Sequence, residues 1–144
     1  SLNLSEEEYA YATNSPAARV TAFLRIADNK ILAAKRLQKS NPNASPMKSL
    51  SGYYAAMQGA NLAVSWGREL GEDMRRQNAA IAKIARRHAG ILERLGSGAN
   101  PQERQALLQM RDFLLAQTTT PENAGKQPPF PSVSTANRSQ APSE

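Results

Sequence analysis

The 144-residue chain contains no cysteine, which excludes disulfides, thiolate metal sites and a cysteine nucleophile. That absence leaves the compartment open, because cysteine-free chains occur on both sides of a membrane. One histidine, His88, rules out any centre that needs two imidazoles. The strand-forming residues are scarce as well, with 3 Val and 5 Ile against 24 Ala and 14 Leu. Ala and Leu lose little side-chain freedom in a helix, whereas a sheet is built on β-branched residues. The chain is therefore expected to be all-α, as an antiparallel up-down helical bundle. No phosphate loop or dinucleotide fingerprint is present. A di-iron bundle would need Glu-x-x-His pairs, but Ala85 stands where His88 would require its Glu. No catalytic residue, cofactor or metal ion is expected.

What the sequence does contain changes character near Thr118. Residues 119–144 hold five of the nine prolines and only five apolar residues, too few to offset the entropy of ordering. They are expected to form an extended or disordered Pro-rich tail behind a bundle domain at 1–118. Within the tail, Pro128-Pro129-Phe130-Pro131 matches PxxP formally, but the signal is weak and a Pro-rich surface wrap or linker is the favoured account. The start at Ser1 rather than Met is compatible with a removed signal peptide, a lean toward export.

Helix boundaries are well marked. Ser5 and Glu8 make a capping box with Leu4 and Tyr9 as its staple. Ser15-Pro16, Ser45-Pro46 and Asn100-Pro101 each put a capping residue before a proline suited to the first helical position. Stops fall at Asn41-Pro42, Gly96-Ser97-Gly98 and Thr118 to Pro121. These signals predict helices near 5–14, 16–39, 47–95 and 101–117. The third is unusually long. Gly67 and Gly71 offer a kink or break that would yield a four-helix bundle, but Leu62, Trp66, Leu70, Met74, Ile81, Ile84, His88, Ile91 and Leu95 keep one helical phase across it. A single long helix is the favoured reading, with a homodimer thickening the thin core it would leave.

Several features could serve function. Residues 49–67 carry no charge, yet Ser49, Ser51, Gln58, Asn61 and Ser65 make the stretch too polar for a membrane span. Ala55, Gly59, Ala63, Gly67 and Gly71 repeat every four residues, forming a ridge for helix packing or dimerisation. Tyr54, Gln58, Asn61, Ser65 and Arg68 form a polar stripe, a candidate groove for a ligand or partner helix. Basic residues fall into two groups. Segment 16–45 has six cations against Asp28 alone, and Arg76, Lys83, Arg87 and Arg94 align at steps of seven, four and seven as a candidate anion-binding row. Glu69, Glu72 and Asp73 cluster beside Arg68, Arg75 and Arg76, as surface charge does. His88, in mid-stripe, is read as a satisfied core histidine.

The resulting expectation is a non-enzymatic bundle that mediates protein association, with itself as the first partner to consider, through the ridge or the polar stripe. One alternative is binding of an anionic polymer or surface (nucleic acid, phosphate-rich polymer, anionic lipid) by the two basic faces. Another is a small polar ligand in the groove on the central helix. Nucleic acid is the less favoured anion, because no aromatics are interleaved for base stacking.

Overall fold

The computed structural model describes residues 14–117, and the expected helix at 5–14 and the Pro-rich tail lie outside them. Four helices and no strand are found among the described residues. Helix α1 (Pro16–Ser40) begins as its capping signal predicts, with Ser15 Oγ accepting from the Ala18 N–H at 3.3 Å. Val20, Phe23, Leu24, Ala27, Ile31 and Ala34 form its buried face at helical spacing. It ends at Asn41, before a proline that cannot continue the ladder.

The single helix expected over 47–95 does not form. Residues 47–52 are turns, in which Leu50 N–H donates to Met47 O and Ser51 N–H to Lys48 O. Gly52, at φ 87°, then redirects the chain into α2 (Tyr53–Glu69). The break after α2 is a Schellman cap. Gly71 N–H donates to Arg68 O and Glu72 N–H to Gly67 O, both at 2.9 Å, with Gly71 at φ 81°. Helix α3 (Arg75–Ser97) starts beyond it, where Asp73 accepts from the backbone and guanidinium of Arg75. That pairing holds the Asp73 carboxyl down to about 2.

The continuous apolar stripe that favours one helix is a coincidence of phase. Leu62 and Leu70 are 47 % and 57 % exposed, while Met74, Ile81, His88, Ile91 and Leu95 are buried. An outward row on α2 thus happens to run into an inward row on α3. The side that α2 buries is instead its small one, Ala56, Met57, Ala60, Ala63 and Val64, because small side chains let α1 approach closely.

Helix α4 (Pro101–Gln117) is capped by Asn100, whose Oδ1 accepts from Glu103 N–H at 2.9 Å. The Glu103 carboxylate accepts from the Ser45 hydroxyl at 2.7 Å, so it ties the α3–α4 loop to the α1–α2 loop. Leu107, Met110 and Leu114 give α4 its core contact.

Direction alternates along the chain. Phe23 meets Gly59 and the Arg19 guanidinium stacks 4.4 Å over the Trp66 ring, so α1 and α2 are antiparallel. Glu93 pairs with Arg111 and Gly96 packs on Leu108, so α3 and α4 are antiparallel as well. The two hairpins join chiefly through α1 and α3, which run parallel: Asp28 meets His88, and ten residues on Gln38 Nε2 donates to Leu95 O at 2.9 Å. This is an up-down four-helix bundle around one core. No helix among the described residues is long and apolar enough to cross a membrane.

Candidate functional site

The parallel register of α1 and α3 sets the charge distribution of the molecule. Residues 14–117 hold 16 Lys+Arg against 7 Asp+Glu, so this span is more basic than the whole chain at +6. On α1 the solvent arc includes Arg25, Asp28, Lys35 and Lys39, which lie within about 80° of one another at 100° per residue. On α3 Arg76, Lys83, Arg87 and Arg94 are all exposed, within about 40° of one another. Asp28 meets both Arg87 and His88, which fixes these two edges as neighbours. One heptad further along each helix, Lys35 and Arg94 come alongside. One turn earlier, so do Arg25 and Lys83.

The two basic groups that are remote in sequence therefore border one surface, where Asp28 is the acid between the two rows and Glu72 and Asp73 lie at the Arg76 end. Among the described residues, Arg87 has Asp28 as its ion partner, and Arg76, Lys83 and Arg94 have none. Gly90 leaves a bare position between Arg87 and Arg94, and the Arg94 guanidinium lies over it.

Behind this surface is a buried polar network. His88 has no solvent exposure, with Nε2 2.9 Å from Asp28 Oδ1 and Nδ1 2.8 Å from the Tyr53 hydroxyl. A carboxylate only accepts, so Nε2 bears the proton, and Tyr53 O–H donates to the bare Nδ1. Burial pushes the Tyr53 phenol well up, which keeps it a donor. Burial also lowers the His88 pKa and outweighs the raising influence of Asp28, so the imidazole is neutral. Asp28 is 27 % exposed. Burial acts to raise its pKa, but the hydrogen bonds from His88 and Arg87 together bring it below the usual carboxylate value. Arg87 Nη2 donates to the same Oδ1 from the solvent side. The chain Tyr53–His88–Asp28–Arg87 thus runs from the core to the middle of the basic surface, and His88 is the satisfied core histidine expected of it.

The other candidate residues are placed differently. In the small-residue ridge, Gly59, Ala63 and Gly67 are buried inside the monomer, whereas Ala55 and Gly71 are exposed. A Cβ on Gly59 would stand 2.7 Å from the Phe23 ring, and one on Gly67 would overlap Met74. The ridge is therefore used for packing within the chain. The polar stripe lies along one edge of α2 with graded burial: Asn61 is buried, Tyr54 and Ser65 are half-buried, and Gln58 and Arg68 are exposed. A cleft of about 280 Å³ opens between the α1–α2 and α3–α4 loops, lined by residues that include Asn43, Ser45, Asn100 and Glu103 but none of the stripe. Glu69, Glu72 and Asp73 are exposed, and no cluster of metal-ligating side chains occurs among the described residues.

Asp28 and Tyr53 are not legible in the sequence as partners of His88, since they are 60 and 35 residues away. A signal does exist for Asp28, the lone acid in an otherwise basic segment and next to the core residue Ala27. No protein-family model, curated protein or solved structure matches the chain.

Proposed function

We propose that this bundle is a binding module, without catalysis, for a linear polyanion that lies along the α1/α3 face. The observation behind this reading is that Arg25, Lys35 and Lys39 border the row of Arg76, Lys83, Arg87 and Arg94, with the carboxylate of Asp28 paired to Arg87 between them. Self-repulsion among like charges disfavours such an arrangement, and a polyanion relieves it by releasing its own counterions. From Arg76 to Arg94 the row extends about 27 Å, and the α1 row runs beside it on a helix whose axis is about 8–10 Å away. Two parallel rows suit an extended chain bearing phosphate or sulfate. Among the described residues no aromatic lies on this face to stack on bases: Phe23 and Tyr53 are buried, and Tyr54, Trp66 and Phe113 belong to α2 and α4. A phosphate or sulfate polymer therefore fits better than a single nucleic-acid strand.

Binding of fluorescently labelled heparin, polyphosphate and a single-stranded oligonucleotide should rank in favour of the base-free polymers. Affinity should fall steeply with salt, and reversal of Arg76, Lys83, Arg87 and Arg94 to Glu should abolish it. Salt-insensitive binding, or equal binding by the reversed protein, sinks the reading.

Protein association is a second reading, and α2 offers one observation for it. Exposed Leu62 and half-buried Trp66 on its outer side and exposed Leu70 at its C-cap are spaced by four. An antiparallel second copy centred on Trp66 would set Leu62 against Leu70 twice, as an isologous pair requires. Three side chains a copy bury far less than the roughly 800 Å² per partner of a stable interface, so the pair would be transient. Sedimentation at rising concentration should show weak dimerisation that Leu62→Glu with Leu70→Glu removes. A strict monomer at high micromolar concentration rules it out.

A further inference from the structure

Asp28 belongs to two systems at once. It lies between the two basic rows of the proposed polyanion face, where it accepts from Arg87, and it is the acceptor for the buried imidazole of His88. Both donors address the same oxygen, Oδ1. Whatever draws the Arg87 guanidinium away therefore changes the charge that the imidazole experiences. The charges acting on His88 are Asp28 from α1 and Arg87 from α3. Helix α2 supplies the Tyr53 hydroxyl with Tyr54 beside it, and α4 supplies no charge.

We propose that the α1/α3 face binds its polyanion with uptake of one proton by the Asp28–His88 pair, so that acidification tightens the complex. The inference rests on the polyanion reading. Engagement of Arg87 by a sulfate or phosphate neutralises the cation that opposes imidazole protonation, and leaves Asp28 with His88 as its remaining donor. A partly buried carboxylate beside a neutral imidazole carries one uncompensated negative charge, which a proton from solvent cancels. In the protonated pair both ring nitrogens carry hydrogen, and Tyr53 turns its hydroxyl from donor to acceptor at Nδ1. Asp28, at 27 % exposure, is the member of the pair that reaches solvent. Linkage makes the effect reciprocal: if binding raises the midpoint of the pair, lowering the pH must raise affinity. A rise of one unit corresponds to an affinity gain of about tenfold across the titration.

The chain has one histidine, so its imidazole resonance needs no assignment. The experiment is an NMR titration of ring-labelled His88 between about pH 5.5 and 7.0, free and saturated with heparin, whose sulfates stay ionised over that range. Heparin affinity is measured by fluorescence in parallel. The expected result is a higher His88 midpoint in the complex and several-fold tighter binding at the acid end. Arg87→Gln should raise the midpoint in the free protein and remove the pH dependence while weaker binding persists, and His88→Gln should also flatten the pH profile. Salt-sensitive heparin binding that leaves the His88 titration unmoved overturns the proton linkage and leaves the polyanion reading intact. Absence of heparin binding at low salt overturns both.

Discussion

At the residue scale, His88 shows how a buried ionisable group is made tolerable. A neutral imidazole has one donor and one acceptor, and here each finds its complement, Asp28 and Tyr53. The arrangement has a definite pH signature. His88 has a folded-state pKa below its ordinary 6.5, so the unfolded chain takes up that proton first as pH falls. Its contribution to stability is complete above 6.5 and declines as pH drops from there through the folded value. Asp28, lowered from 3.8, adds a second decline of the same sign in stronger acid. Urea unfolding followed over this range should show stability falling from near neutrality downward. His88→Gln, which keeps a donor and an acceptor but does not titrate, should flatten the upper part of that curve. An unchanged profile in the variant would mean that other groups set it.

At the element scale, the decisive feature is the turn that separates α2 from α3. A methyl group placed on Gly71 would meet nothing within 4 Å, so the requirement for glycine there is purely the left-handed backbone at φ 81°. Gly71→Ala should therefore destabilise the bundle by about 1 kcal/mol, and Gly71→Asn by less, because Asn tolerates that region better. Gly59 is the opposite case, a helical glycine with ordinary backbone but no room. Gly59→Ala gains up to about 1 kcal/mol of helix propensity, yet its methyl must displace the buried Phe23 ring at an overpacking cost of about 1–3 kcal/mol. A net loss of stability in thermal or chemical denaturation is expected, and a gain would show that the ring moves freely. The capping signals at Ser15 and Asn100 are legible in the sequence because a cap is a local bond over three residues. The length of the third helix is not legible, because periodicity records phase and not which side is inside.

At the scale of the whole molecule, charge is the property that folding reorganises. The six cations of segment 16–45 and the row on α3 are separate in the chain, and the α1/α3 register makes neighbours of most of them. Reversal of Arg76, Lys83, Arg87 and Arg94 should change polyanion binding far more than stability, apart from the Arg87–Asp28 pair, because all four are exposed. Of the three candidate surfaces, the row on α3 is the one that the bundle leaves open along its length. The small-residue ridge is largely consumed in packing, and the polar stripe is partly buried. By itself the sequence determined the helical class, the caps at Ser15 and Asn100 and the polar character of the α3 row, since all of these follow from composition and from bonds within a few residues. Only the tertiary structure decided that α2 buries its alanines rather than its leucines, that Asp28 and Tyr53 serve His88, and that two basic edges share one face. Those outcomes depend on which helices meet and in what register, and that is settled by packing between residues 35 to 60 positions apart.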